Sequence, residues 1–155
     1  MESFNKLIDI VSKLRSEDGC PWDREQTHKS LKAACIEEAV EVIAGIDILE
    51  ETGNPESLKE ELGDLLLQVV MHAQIAQEEG LFTIDDVIKG ISEKMIRRHP
   101  HVFGDISVSG TDEVLVNWEE IKAKEKKERP DEKPYLAEAF KEAREFIDSL
   151  EERKT

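Results

Sequence analysis

This chain of 155 residues has few of the residues that build β-rich or disulfide-linked folds. Aromatic residues make up 5% of it, and it has eight glycines, five prolines and two cysteines. Together with the lack of apolar–polar alternation, this composition argues against a β-sandwich or barrel. Cys20 and Cys35 are spaced as neither a zinc ribbon nor a redox pair, so we expect a reducing compartment.

Long apolar runs are also missing. The densest, at residues 65–70, is interrupted by Gln68 and is far shorter than the about 20 residues of a membrane helix. The N-terminus begins Met1-Glu2-Ser3 and has no basic leader before an apolar segment, so secretion is not expected. We therefore expect a cytoplasmic protein without membrane attachment.

Positive charge is in short supply, with 21 Lys and Arg residues against 36 Asp and Glu and a formal net charge of −15. Such a chain repels DNA and anionic membranes, so stable nucleic-acid binding is not expected. Hydrophobic residues make up 39% of the chain, which suffices for one domain with a sizeable core.

Apolar residues recur with helical periodicity along most of the chain, between clusters of glycine, proline and turn residues. The predicted helices span residues 2–15, 27–49, 56–79, 84–98, 112–128 and 135–152. Thr83 and Thr111 are expected to cap two of them, with a loop over 100–110 and a charged linker over 129–134. The pattern predicts an all-α fold built around the hairpin of the second and third helices.

Acidic residues interrupt the apolar faces of these two hairpin helices. The inward faces are predicted to carry Leu31, Cys35, Glu38, Val42, Gly45, Ile46 and Leu49 on one helix and Leu58, Glu61, Leu62, Leu65, Val69 and Ala76 on the other. Residues three apart share a helical face, so Glu41 lies beside Glu38, and Asp64 lies beside Glu61. Each ionised carboxylate buried there costs several kcal/mol without a positive partner.

Hard divalent cations with oxygen preference, Mg²⁺ or Mn²⁺, are the natural partners for such carboxylates. Glu41 and Asp64 each lie about 12 Å from the hairpin turn, which predicts that they stand level. An ordinary solvated acidic face is the alternative in so acidic a chain. His72, on the same inner side, has no second nitrogen or sulfur ligand nearby in sequence and is expected to be a core or interface histidine.

A compact basic cluster, Lys94, Arg97 and Arg98, follows at the end of a predicted helix. These side chains either complement the helix dipole or clamp phosphate oxygens. Metal-binding acids and such a clamp together favour a polyphosphate substrate, with the metal between acids and phosphates. The alternating charges of residues 122–129 are typical of a solvated helix laced with ion pairs.

Candidates for contacting a nucleobase are few. The two tryptophans, Trp22 and Trp118, are either stacking surfaces or partly buried anchors. His28 and Asn117 are candidates for hydrogen bonds to a base edge.

Five motifs occur in series: GCPWDREQTHKSL at 19–31, EEAVE at 37–41, EELGDLLLQVV at 60–70, KMIRRHPHVFG at 94–104 and NWEEIK at 117–122. In this order they resemble the motifs of the MazG nucleoside triphosphate pyrophosphohydrolases. The resemblance covers residues 1–128 and leaves 129–155 as a charged linker and a C-terminal amphipathic helix. Many relatives carry two such domains in tandem, whereas one is found here.

The resemblance implies an all-α fold in which the hairpin is completed into a four-helix-bundle-like core by a homodimer or a dimer of dimers. It implies Mg²⁺-dependent cleavage of ribo- or deoxyribonucleoside triphosphates at the α–β bond, giving the monophosphate and pyrophosphate in nucleotide-pool house-cleaning. By motif position it assigns metal binding to Glu38, Glu41, Glu61 and Asp64, and phosphate contact to Lys94 and Arg98.

The general base is not decided by the motifs; Glu37 or Glu41 is expected to orient the attacking water. Two alternatives stay open. One is a related all-α pyrophosphohydrolase for a modified or phosphoribosylated nucleotide. The other is a non-catalytic dimerising module that binds metal or nucleotide without turnover.

Overall fold

The structure, a computed structural model, describes residues 2–127 and 131–154, and the regular secondary structure of these residues is all helical. Its helices are α1 (Glu2–Arg15), α2 (Pro21–Glu25), α3 (Lys32–Thr52), α4 (Glu56–Glu78), α5 (Ile84–Arg98), α6 (Pro100–Phe103), α7 (Thr111–Lys126) and α8 (Lys133–Lys154). No strand occurs within those two ranges, which confirms the all-α class. None of the described helices is long and apolar enough to cross a membrane.

The predicted boundaries of α1, α4 and α5 are confirmed to within a residue, whereas α3 begins five residues later than expected. Thr27 and Ser30 explain the delay. The backbone N–H of Thr27 donates to the Ser30 hydroxyl at 2.9 Å, and that of Ser30 donates to the Thr27 hydroxyl at 3.1 Å. This turn competes with the helix for the same backbone groups.

Two proline segments predicted as irregular form helix instead. Pro100 begins the short helix α6 in the expected loop, and Pro134 lies in the first turn of α8, at the end of the expected linker. Proline is tolerated there because the first turn lacks backbone acceptors for its amide positions. The linker's first residues, and the predicted boundary between 128 and 129, lie outside the described residues.

The start of α7 also differs from the prediction. Thr111 is the first helical residue rather than the cap, and Gly110 precedes it. The Glu113 carboxylate accepts hydrogen bonds from both the backbone N–H and the hydroxyl of Ser109, each at 2.8 Å. A carboxylate in the first turn thus binds back to the residue just before Gly110, as in a capping box, in place of the expected threonine cap.

The chain divides into two compact units. The first comprises Met1–Ile84 and Ala137–Thr155, and the second comprises Asp85–Leu136. The core of the first unit is formed where α1 packs against the second half of α4; its buried members are Val11, Leu31, Val70, Met71 and Ile75.

The predicted inward faces of the hairpin are therefore only partly correct. Leu31, Gly45 and Ala76 are buried, but Ile46, Leu62 and Val69 are 43%, 50% and 41% exposed. Periodicity identified an apolar stripe on each helix, but α1 covers only the second, C-terminal half of α4. The uncovered half leaves an apolar surface on the hairpin.

Gly45 sets the register of this hairpin. A Cβ atom at Gly45 would lie 2.9 Å from the Cα atom of Leu58, so the backbones of α3 and α4 are in contact there. Gly53 ends α3 in the left-handed conformation (φ 72°), which glycine adopts at low cost.

Arg15 ties three helices of the first unit together. Its side chain is 6% exposed and pairs with the Glu78 carboxylate of α4 at 2.7 Å. It also donates to the backbone carbonyls of Asp23, in the middle of α2, and of Gln26, just after its end. A planar guanidinium with five donors suits such a junction.

Candidate functional site

Three acidic side chains converge in the hairpin. Glu38 of α3 and Glu61 and Asp64 of α4 each offer a carboxylate oxygen, and these oxygens lie within 4.8 Å of one another. All three residues are half-buried rather than enclosed in a dry interior. The two helices therefore bring together three of the four predicted metal ligands.

The electrostatics of this cluster favour a cation. Burial raises the pKa of Glu38, and the neighbouring carboxylates, Asp64 first among them, raise it further. The pKa of Glu61 is raised by desolvation and then by Glu41 and Asp64. Carboxylates that repel one another gain from a shared positive charge. The donor set is all oxygen, which fits a hard divalent ion such as Mg²⁺ or Mn²⁺.

Glu41, the fourth predicted ligand, is oriented differently. The expected level pairing of Glu41 with Asp64 stays a prediction, whereas the carboxylates that the structure brings together are those of Glu38, Glu61 and Asp64. Glu41 instead accepts a hydrogen bond from the Lys154 ammonium of α8, which also pairs with Glu37 at 2.8 Å. Both candidate general bases thus share one lysine.

His28 and His72 form a hydrogen-bonded pair near the same helices. Their rings are coplanar within 1°, with centroids 5.0 Å apart and the two Nδ1 atoms at 2.7 Å, an edge-to-edge contact. The other nitrogen of His72 lies 3.4 Å from the Cys35 sulfur. His72 is thus half-buried with both ring nitrogens partnered, as expected of a core histidine. The Nδ1 of His28, a candidate for base contact, faces His72.

The basic cluster lies in the second unit and is held by one carboxylate. Arg97 and Arg98, at the end of α5, pair with the two oxygens of Glu125 of α7 at 2.6 and 2.5 Å. Hydrogen bonds from Arg98 and then Arg97 lower the pKa of Glu125 to about 2. Lys94 is half-buried one turn earlier on α5. The cluster is preorganised, but its arginines are already partnered.

The nucleobase candidates have different surroundings. Trp118 is half-buried, with the Arg98 guanidinium 5.1 Å from its ring centroid and the His99 ring edge-on at 5.0 Å. Trp22 is 65% exposed, which disfavours its interpretation as a partly buried anchor. Asn117 is half-buried. Base contact by any of these residues stays a prediction.

Two residues of these sites were missed in the sequence. Glu125 belongs to the charge run that was interpreted as solvated ion pairs; the pair Lys122–Glu119 at 3.2 Å fits that interpretation, but Glu125 joins α5 instead. Lys154 lies just beyond the predicted end of its helix. No sequence signal places it beside a carboxylate 113 residues away.

Comparison with known proteins decides the family. The family model described as the MazG nucleotide pyrophosphohydrolase domain matches residues 26–103, half of the chain. The chain belongs to this family. The match includes the acids of the MazG hairpin and the basic end of α5, and it ends before Trp118, Glu125 and α8.

Curated relatives agree with the family assignment. The chain is 57% identical over 123 residues to the uncharacterized protein YabN of Bacillus subtilis, covering 79% of this chain and 24% of that protein. It is 56% identical to the nucleoside triphosphate pyrophosphohydrolase/pyrophosphatase MazG of Thermotoga maritima, covering 79% and 45%. Identity to the nucleoside triphosphate pyrophosphohydrolase of Escherichia coli K12 is 45%, covering 83% and 48%. The chain thus spans about a quarter to a half of these relatives' lengths.

Proposed function

We propose that this MazG-family chain is a nucleoside triphosphate pyrophosphohydrolase that requires Mg²⁺, or Mn²⁺ in its place. It cleaves a ribo- or deoxyribonucleoside triphosphate between the α and β phosphates, releasing the monophosphate and pyrophosphate in cytoplasmic nucleotide-pool house-cleaning. The observation that carries the proposal is the convergence of Glu38, Glu61 and Asp64 from two helices. The activities named for the Thermotoga and Escherichia relatives support it.

The acids perform two tasks in this proposal. Glu38, Glu61 and Asp64 hold the divalent ion, with Glu41 as a further ligand once Lys154 releases it. A bound ion of this kind polarises phosphate oxygens and acidifies water. Glu37 or Glu41 takes the proton of the attacking water. The water oxygen bonds to the α phosphorus as the bond from this phosphorus to the α–β bridging oxygen breaks, and pyrophosphate leaves.

The basic cluster has a complementary task. Lys94, Arg97 and Arg98 offset negative charge on the triphosphate and on the departing pyrophosphate. Each arginine keeps N–H donors beyond those it gives to Glu125. Trp22, Trp118, His28 and Asn117 are the proposed contacts to the nucleobase.

The decisive experiment is chromatographic product analysis. Each ribo- and deoxyribonucleoside triphosphate, and a panel of modified and phosphoribosylated nucleotides, is incubated with and without Mg²⁺. We expect monophosphate and pyrophosphate in equal amounts and only with the metal. Unchanged nucleotides in every incubation would support the non-catalytic module instead.

Two variants test the acids directly. We expect Glu38→Gln and Asp64→Asn to lower turnover by at least 100-fold while far-ultraviolet circular dichroism stays unchanged, because each removes a charged ligand of the ion. Glu50→Gln, at an exposed position of α3, is the matched control and should retain wild-type turnover. Pyrophosphate release at the wild-type rate from both site variants would refute the metal assignment.

A further inference from the structure

Ion pairs join helix α8 to α3 at two places. The Lys32 ammonium pairs with the Glu142 carboxylate at 2.8 Å, near the start of the segment of α8 that belongs to the first unit. Two turns later Leu150 is 5% exposed. Lys154 then reaches Glu37 and Glu41. The end of α8 is therefore seated beside the acid cluster.

Lys154 supplies positive charge where the acids need it. Its ammonium interacts with both candidate general bases, and its charge also lowers the raised pKa of Glu61. The same carboxylates raise the pKa of Lys154, so the lysine stays charged at neutral pH. A single ammonium compensates only part of the charge of five acids, whereas a divalent ion compensates more.

The ion pairs of Lys154 with Glu37 and Glu41 are weak enough to be reversible. The Lys154 side chain is 49% exposed, and exposed ion pairs contribute little to stability because water screens them. A cavity of about 280 Å³ lies between α3 and α8, lined by Val40, Ile147 and Leu150 beside the charged residues. Packing around Lys154 is thus incomplete, and a small free energy suffices to release it.

We propose that Lys154 is a built-in competitor of the divalent ion, which makes α8 an autoinhibitory helix over the acid cluster. It holds Glu37 and Glu41 until the ion arrives, and ion binding requires that it let go of Glu41. The inference rests on the metal site of the proposed function, and it adds a control of that site by a part of the chain beyond the 26–103 family match.

Metal affinity in the absence of nucleotide tests the competition. The dissociation constant for Mn²⁺ is measured from the electron paramagnetic resonance signal of the free ion, for the full-length protein and its variants. We expect Lys154→Gln to bind Mn²⁺ about three- to tenfold more tightly, since each exposed ion pair removed shifts an equilibrium a few-fold. Lys154→Arg keeps the charge and should stay near the wild type.

The matched control is Lys141→Gln. Lys141 is also an exposed lysine of α8, but it pairs within its own helix, with Glu145 at 3.9 Å. Lys141→Gln removes the same single positive charge as Lys154→Gln. An unchanged Mn²⁺ affinity in Lys141→Gln would therefore show that the position of Lys154 matters and not its charge alone. Equal gains in affinity from both lysine-to-glutamine variants would overturn the inference.

A second measurement uses the unaltered protein. The rate of reductive methylation of each lysine is followed by mass spectrometry before and after Mn²⁺ is added. We expect labelling of Lys154 to accelerate severalfold with the ion, because the ion takes Glu41 from it, while labelling of Lys141 stays constant.

The two proposals fail in different ways. If Mn²⁺ binds the wild type and Lys154→Gln with equal affinity, or leaves the labelling of Lys154 unchanged, the autoinhibitory role is refuted and the proposed enzyme stands. If neither protein binds Mn²⁺ at all, the metal site itself is refuted, and the inference falls with it.

Discussion

The side chain of Glu125 organises the basic cluster of the second unit. It is 12% exposed on its side chain and binds the guanidinium groups of two consecutive arginines, one on each carboxylate oxygen. Arg98 is in turn stacked over Trp118. The directions of both arginines are thereby fixed, and under the proposed function this lowers the conformational entropy lost on phosphate binding.

The low pKa of Glu125 predicts a pH-dependent stability. Because its pKa falls from about 4.5 to about 2 on folding, its stabilising effect is complete above pH 4.5 and is lost as the pH falls towards 2. We expect Glu125→Gln to lower the thermal midpoint at pH 7, with the difference from wild type shrinking between pH 4.5 and 2. Differential scanning fluorimetry over that range measures it.

Glu120→Gln serves as the control for this prediction. Glu120 is exposed on the same helix, and its replacement should leave the thermal midpoint unchanged at every pH. A difference between Glu125→Gln and wild type that persists undiminished at pH 2 would contradict the assigned role.

The pair of His28 and His72 predicts a second pH dependence of stability, close to neutral pH. Burial, and then the neighbouring His28, lower the pKa of His72 below 6.5, so the unfolded chain binds protons first and stability falls as the pH drops below 6.5. In His28→Asn the second cause is removed, and we expect the pKa of His72 to rise towards 6.5. Nuclear magnetic resonance titration of the imidazole protons measures the pKa of His72 in the wild type and in His28→Asn. Identical pKa values in the two proteins would show that the pair is not coupled.

At the scale of elements, the hairpin of α3 and α4 is where sequence reasoning succeeded best. Spacing placed the acids on shared faces, and the structure brings Glu38, Glu61 and Asp64 together. The register of these acids was not predictable from the sequence, because it depends on the contact between Gly45 and Leu58. Periodicity specifies the face of a helix on which a residue lies, but not its level along the axis relative to the neighbouring helix. The turn of Thr27 and the partner of Glu125 were missed for a related reason: local patterns do not name distant or competing hydrogen-bond partners.

The close approach at Gly45 predicts a pair of glycine variants with opposite effects. Gly45→Ala forces a methyl group onto the backbone of Leu58, and we expect it to lower the free energy of unfolding by about 1–3 kcal/mol. Gly63→Ala, also inside a helix but with open space around its Cβ position, should raise it by about 0.5–1 kcal/mol. Urea denaturation of both variants decides; equal effects would contradict the proposed contact.

At the scale of the whole molecule, composition correctly indicated an all-α chain, but it left open how the two hairpin faces are covered. Several large apolar side chains of α3 and α4 are exposed: Ile43 (60%), Ile46 (43%), Leu62 (50%), Leu66 (38%) and Val69 (41%). A monomer seldom leaves so many on neighbouring helices, and a second copy of the hairpin would bury them. The homodimer, or dimer of dimers, is therefore a proposal that this surface supports.

Light scattering coupled to size-exclusion chromatography tests the oligomer. We expect twice or four times the chain mass of 17.7 kDa for the wild type and a smaller assembly for Ile43→Asp, which places a charge in the apolar surface. Ile10→Asp is the control, because Ile10 is 46% exposed on α1 and is not part of the apolar surface of α3 and α4. A monomeric wild type would refute the proposal.

The first unit is discontinuous in sequence: it is interrupted after Ile84 and resumes at Ala137. On the ribosome, the fifty or so residues between these points take roughly 3–10 s to synthesise. The acidic hairpin is therefore made before Lys154, so under the proposed competition a nascent chain meets the divalent ion before its competitor has been translated.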